Sequence, residues 1–278
     1  MPLPKRRPAR REVASLPVSN KMRATLTVLG SGTSMGVPTI GCSCRVCTSP
    51  DPKDRRTRPS IMVEYGGHCV LIDTTPDFRE QAIRERITRL DAILYTHAHA
   101  DHILGLDDVR PLSFRRPGKI PLYAHQQTAE ALQQIFKYIF DADYKYGGIA
   151  RVEMNQLNGS LELFGACFEP VTVLHGDAAI HGFRFGSAAY LTDFSEIPAE
   201  SMTRLRNLDI LFLDALRHNP HPTHSTVANS LRIAEELRPQ RTFFTHISHD
   251  LHHEDTNRNL PDNVRLAHDG LKLEFDIA

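Results

Sequence analysis

The chain has 278 residues, enough for one large α/β domain that folds without disulfide staples. Its formal net charge is +0, which removes any global field for nucleic acid or an anionic membrane surface. No run approaches the roughly 20 apolar residues that span a bilayer, which argues against a helical membrane anchor.

Residues 1–23 carry Lys5, Arg6, Arg7, Arg10, Arg11, Lys21 and Arg23 with prolines among them, and lack the apolar centre of a secretory signal. The expectation is a disordered basic tail over 1–23, one catalytic domain over 24–278, and a cytoplasmic location. Five cysteines are present, and Cys42, Cys44 and Cys47 fall within six residues. An odd total with tight clustering points to metal binding rather than a disulfide framework.

Alternation predicts a strand over 25–29, ending in Gly30-Ser31-Gly32-Thr33-Ser34-Met35-Gly36. That glycine spacing fits no phosphate-binding fingerprint, and Pro38 follows instead of a helix. The glycines are expected to let the backbone turn tightly near a site. Segments 61–65 and 69–72 read as strands around Gly66-Gly67, 77–86 as a helix, and 92–95 as a short buried strand. A strand over 120–123 and an amphipathic helix over 128–138 follow. The stretch 152–191 is strand-rich, with strands at 161–164, 167–174, 182–185 and 188–191. A strand over 210–213, a helix over 226–237 and strands over 242–245, 264–266 and 271–275 close the chain. Two sheets mixed with helices predict a layered α/β fold.

The apolar strand at 92–95 runs directly into His97-Ala98-His99-Ala100-Asp101-His102. Imidazole and carboxylate are the ligands of zinc, manganese and iron. An extended backbone puts His97 and His99 on one side, and Asp101 and His102 on the turn beyond, where they can face a second ion.

This segment resembles the H-x-H-x-D-H signature of the metallo-β-lactamase superfamily. Four further strand ends fit that family in order: Asp73 after Leu71-Ile72, His175 after Val173-Leu174, Asp193 after Leu191-Thr192, and His246 after Phe244-Thr245. The resemblance implies a four-layer αββα sandwich, two mixed sheets flanked by helices. It implies that His97, His99 and His175 hold one divalent metal, that Asp101, His102 and His246 hold another, and that Asp193 bridges them. Asp73 would orient the ligands from behind.

Three thiolates in C-x-C-x2-C need a fourth ligand for a closed tetrahedral zinc. His249 is the candidate, with His252 and His253 as alternatives. Together with Gly-x-Gly-Thr-x-x-Gly-Val-Pro and Thr245-His246-Ile247-Ser248-His249, the cluster resembles the branch that contains the phosphoribosyl 1,2-cyclic phosphate phosphodiesterase. That branch implies a structural zinc on the cysteines, a catalytic pair that is often manganese, a small phosphorylated substrate and a homodimer. Where a glycine often follows the early aspartate in that enzyme, this chain has Thr74. Loops 110–118 and 141–148 are candidate substrate walls without a match.

The metal pair would activate water for attack on phosphorus, with Asp101 in the catalytic centre. His224, at a helix start, matches a histidine assigned in this branch as the acid that protonates the leaving oxygen, with His218 and His221 nearby. An unperturbed imidazole titrates near pH 6.5, which suits that task. Arg217 is a candidate for binding a substrate phosphate through its fork geometry. Competing functions are a transfer-RNA 3′-end endonuclease, a lactam or thioester hydrolase, and a non-catalytic cofactor-biosynthesis accessory. The neutral charge and the lack of a Gly/Pro-rich basic arm speak against RNA.

Overall fold

The computed structural model describes residues 22–277, so most of the expected basic tail lies outside the described residues. Arg23, assigned above to the tail, is instead the first residue of a strand. Its guanidinium pairs with Glu274 and Asp276 on a neighbouring strand.

The first half of the chain runs β1 (Arg23–Gly30), β2 (Ser60–Tyr65), β3 (His68–Ile72), α1 (Phe78–Arg84), β4 (Ala92–Leu94), α2 (Ala100–Ile103), α3 (Arg110–Ser113), β5 (Ile120–Ala124), α4 (Gln126–Ile135), α5 (Lys137–Phe140) and β6 (Val152–Gln156). The second half runs β7 (Leu161–Leu163), β8 (Ala166–His175), β9 (Ala178–Phe185), β10 (Ala188–Leu191), α6 (Ala199–Arg204), β11 (Ile210–Asp214), α7 (Val227–Leu237), β12 (Arg241–Thr245), α8 (His253–Arg258), β13 (Val264–Leu266) and β14 (Lys272–Asp276). The strands form two seven-stranded sheets, ordered β14-β1-β2-β3-β4-β5-β6 and β13-β12-β11-β10-β9-β8-β7. Both are mixed: β3 to β6 and β10 to β13 pair in parallel, the others antiparallel.

The two-residue period of the strands sorts side chains into layers. Ile61, Val63, Val70 and Ile72 join Phe168, Phe183, Phe185 and Phe212 in the core between the sheets. Met62 and Leu71 face the other way, onto Phe78, Leu106 and Leu132. Leu211, Leu213 and Phe244 pack outward on Ile233, Ala234 and Leu237 of α7. Three apolar layers separate four layers of structure, the αββα sandwich.

Parallel strands share one direction, so β3, β4, β10, β11 and β12 all end on the same edge. Ligand sites in α/β sheets form at such carboxyl ends. Backbone bonds stitch the loops there together. Thr74 N donates to His102 O at 2.8 Å and Gly105 N to Thr74 O at 3.0 Å. Gly105 has no room for a side chain, because a Cβ there would overlap the Thr75 carbonyl. Gly105→Ala must push the loop after β3 away from the histidine motif. Overpacking of this kind costs about 1–3 kcal/mol, so thermal unfolding is expected at lower temperature, with reduced metal content. A variant with wild-type Tm and metal content would contradict this stitching.

Candidate active site

His97 and His99 follow β4, His99 in extended backbone, and α2 then turns Asp101 and His102 back toward them. Asp73, Asp193 and His246 follow β3, β10 and β12, each with positive φ, at 67°, 56° and 56°. Left-handed backbone is uncommon for residues other than glycine and clusters where side chains are aimed at a site.

The seven side chains converge. One ligand atom each from His97, His99, His175 and Asp193 lies within 4.8 Å of the others, and the same holds for Asp101, His102, Asp193 and His246. Asp193 belongs to both groups. Its Oδ2 lies 3.2 Å from His246 Nε2 and its Oδ1 3.4 Å from His102 Nε2. Asp101 Oδ2 is 3.3 Å from His102 Nε2 and 3.6 Å from His246 Nε2. Ligands about 2.0–2.2 Å from one tetrahedral ion stand roughly 3.3–3.6 Å apart. His97 Nε2, Asp101 Oδ2, His102 Nε2 and His246 Nε2 are buried without a hydrogen-bond partner. Buried polar atoms are rarely left so, and this donor set fits divalent cations.

Residues behind the candidate ligands set their tautomers. Asp73 is fully buried; its Oδ2 accepts from Thr96 Oγ1 and faces His102 Nδ1, each at 2.8 Å, and its Oδ1 accepts from Thr96 N at 2.9 Å. With its proton on Nδ1, His102 presents the Nε2 lone pair inward. His175 Nδ1 donates in the same way to Thr223 O at 2.9 Å.

His224 stacks on His246 at 4.6 Å and stands edge-on to His175 at 4.8 Å, so it touches both ligand groups. Its Nδ1 lies 2.8 Å from Asp214 Oδ2. Asp214, the buried last residue of β11, is absent from the sequence reading. Its signal is an aspartate ending an apolar strand, the same signal as Asp73 and Asp193. His221 is 5.0 Å from His224, and His218 is exposed. The expectation of an unperturbed His224 does not hold: burial and neighbouring His246 push it down to about 4. Burial raises the Asp214 carboxyl well above its usual range. Arg217 spends Nε and Nη2 on the carbonyls of Asn219 and Pro220, bracing its own loop.

Cys42, Cys44 and Cys47 surround His249, whose Nδ1 lies 3.3, 3.6 and 3.4 Å from the three sulfurs. Zinc with Zn–S of about 2.3 Å and Zn–N of about 2.05 Å sets a sulfur–nitrogen separation of roughly 3.6 Å. The alternatives fall away from this cluster. His252 Nε2 faces Asp54 Oδ2 at 3.3 Å, and His253 lies beside His268.

The site is electrostatically polarised. Burial lowers the His246 imidazole, but Asp193, Asp101 and Asp214 outweigh it and raise it to about 9. Burial is likewise outweighed at His102, which Asp193, Asp101 and Asp73 hold well above the usual range. A raised histidine stabilises the fold below its unfolded pKa, near 6.5, and that contribution is lost as pH rises through the folded value. Metal-free protein is therefore expected to lose thermal stability from about pH 6.5 to about 9 in unfolding scans. Metal loading displaces these protons and should flatten the slope. A metal-free Tm that rises across this window would contradict the charge pattern.

A model of the β-lactamase superfamily domain matches residues 68–247. A solved diphosphatase of the PhnP family is 66% identical, with a TM-score of 0.88, covering 92% of this chain and 98% of that one. An octanoyltransferase of Porphyromonas gingivalis is 35% identical over 254 residues, which are 90% of this chain and 51% of the relative; the chain spans about half that protein's length. Zinc-bound PqqB of Methylobacterium extorquens shares the fold at 20% identity and a TM-score of 0.73, covering 90% and 99% of the two chains. With this sandwich and this histidine–aspartate bowl, the chain belongs to the β-lactamase superfamily, in its PhnP family.

Proposed function

We propose that this chain is a phosphohydrolase that cleaves a P–O bond in a small phosphorylated substrate across two divalent ions. The observation that carries it is the sharing of Asp193 by two four-residue ligand groups. In this reading His97, His99 and His175 hold one ion and Asp101, His102 and His246 the other, with Asp193 common to both. Cys42, Cys44, Cys47 and His249 hold a structural zinc. A bound metal pair, zinc or manganese, supplies an acidified water and neutralises charge on the phosphoryl oxygens.

The chain's own residues do the rest. Asp73 and Thr96 fix the tautomer and tilt of His102. His224, touching both ligand groups, is the acid: it gives a proton from Nε2 to the leaving oxygen and takes one at Nδ1 from Asp214, so the imidazole stays neutral. Asp214 holds His224 through Nδ1 and, with its carboxyl raised by burial, supplies the proton that Nδ1 takes up. Positioned acids of this kind contribute about 10²–10⁴-fold in rate. Arg217 would meet a substrate phosphate through the guanidinium N–H groups it does not spend on the carbonyls of Asn219 and Pro220.

The substrate read from the branch resemblance is a five-membered cyclic phosphate on a sugar phosphate. A second reading, a linear diphosphate, is favoured by the 66% identical diphosphatase. Both are small phosphorylated molecules. No described helix is long and apolar enough to cross a membrane.

The test is hydrolysis of bis(p-nitrophenyl) phosphate, a ribose 1,2-cyclic phosphate and a dinucleoside diphosphate by the manganese- or zinc-loaded protein. Turnover of at least one is expected. His97→Ala and Asp193→Ala should abolish it, while His224→Ala should lower kcat by about 10²–10⁴-fold with little change in KM. Full metal loading with no cleavage of any of the three would overturn the phosphohydrolase reading.

A further inference from the structure

The loop between β11 and α7 carries a second histidine beside His224, and its tautomer is fixed. His221 is partly buried, and its ring lies 5.0 Å from that of His224. Its Nδ1 accepts the backbone N–H of Thr223 at 3.3 Å. A backbone amide nitrogen only donates, so Nδ1 is held as an acceptor and the ring proton sits on Nε2. The Thr223 hydroxyl meets the same Nδ1 at 3.2 Å. Burial, His224 and Arg217 hold the imidazole below its usual range, which keeps it in this one-proton form. The Nε2–H group has no partner among the described residues.

Both flanks of His221 are braced. The Thr223 carbonyl accepts from His175 Nδ1 at 2.9 Å, so one residue fixes His221 and a candidate metal ligand together. Arg217 Nη2 donates at 3.1 Å to the carbonyl of Pro220, the residue before His221, and keeps further N–H groups unspent. Neither Arg217 nor His221 pairs with a carboxylate among the described residues. His221 therefore lacks what Asp214 gives His224, a source for a relayed proton, and is a donor of hydrogen bonds rather than a second acid.

Groups beside the acid meet the leaving group. A leaving alcohol presents one oxygen at the cleaved bond, the one that His224 protonates. A leaving phosphate presents two further anionic oxygens on its phosphorus, which call for charge-assisted donors. We propose that His221 is a substrate-binding residue whose Nε2–H, beside Arg217, holds a phosphoryl oxygen of the leaving group, so that the substrate is a linear diphosphate ester. This rests on the phosphohydrolase reading above and names its substrate class. Cleavage breaks the bond from one phosphorus to the bridging oxygen, and water supplies the oxygen that replaces it. The bridging oxygen leaves on the other phosphoryl group with the His224 proton. The water's own proton goes to solvent, and solvent returns one to the His224–Asp214 pair. One diphosphate and one water give two phosphate monoesters.

The test compares diadenosine diphosphate with bis(p-nitrophenyl) phosphate, whose leaving phenolate carries no phosphoryl oxygen, on the metal-loaded protein. His221→Asn keeps an acceptor for the Thr223 N–H and loses the Nε2 donor, whereas His221→Gln keeps a donor near Nε2. The ratio of kcat/KM for the diphosphate to that for the diester should fall roughly ten- to hundred-fold in His221→Asn, as loss of a hydrogen bond to a charged group does. His221→Gln should restore part of that ratio. An unchanged ratio in His221→Asn overturns the proposal, and so does an equal loss on both substrates, the mark of a disturbance passed through Thr223 to His175. Wild-type cleavage of the diester without cleavage of the diphosphate overturns it and leaves the phosphohydrolase reading standing. Wild-type failure on both, and on the ribose 1,2-cyclic phosphate, overturns the two together.

Discussion

Four carboxylates, Asp73, Asp101, Asp193 and Asp214, are buried together at one edge of the sandwich, and this concentration of charge constrains everything around it. Removing a carboxylate from water costs several kcal/mol unless it is paired and hydrogen-bonded. Here the compensation comes from imidazoles: His102 and His246 face Asp193 and Asp101, and His224 faces Asp214. Imidazoles can give up their protons to divalent cations, which supply the same positive charge more compactly. The edge is thus stable enough to fold and still able to accept metal. The parallel strands deliver these residues from both sheets to one place, and left-handed backbone at Asp73, Asp193 and His246 turns three of them inward.

The same logic explains why the N-terminal loop is so heavily tied. His246 begins a loop that ordinary strand pairing does not hold. Ile247 N donates to Ser31 O at 2.9 Å, in the glycine-rich segment after β1. Arg56, fully buried and pulled down to about 10 by desolvation, grips Ser248 O, Leu251 O and Asp54. The cysteines close on His249 from the other side. The glycines after β1 therefore serve backbone contact with a ligand-bearing loop rather than phosphate binding.

Much of this was legible in the sequence because its signals are local. H-x-H-x-D-H is a dense cluster, and Asp73, Asp193 and His246 each end an apolar run that alternates as a strand. The long strands and α7 were readable from periodicity. The short helices α2, α3, α6 and α8 were not, because four to six residues carry too little periodicity to separate from a turn. Asp214 was missed because its importance lies in its distance to His224, ten residues away around a loop. The protonation of His224 was misjudged for the same reason: burial and the stacked His246 are tertiary facts. Arg217 illustrates the converse: its bonds from Nε and Nη2 to the carbonyls of Asn219 and Pro220 are set by the loop's shape, which no local pattern announces.

The central claim is that Asp193 is shared by two ions while the cysteine cluster holds a third. Anomalous diffraction from crystals of the purified protein, recorded at the zinc and manganese edges, tests it most directly. The account predicts two peaks flanking the Asp193 carboxylate, one beside His97, His99 and His175 and one beside Asp101, His102 and His246, with a zinc peak among Cys42, Cys44, Cys47 and His249. A single peak in the histidine–aspartate bowl under saturating metal, with Asp193 turned away from it, would contradict it.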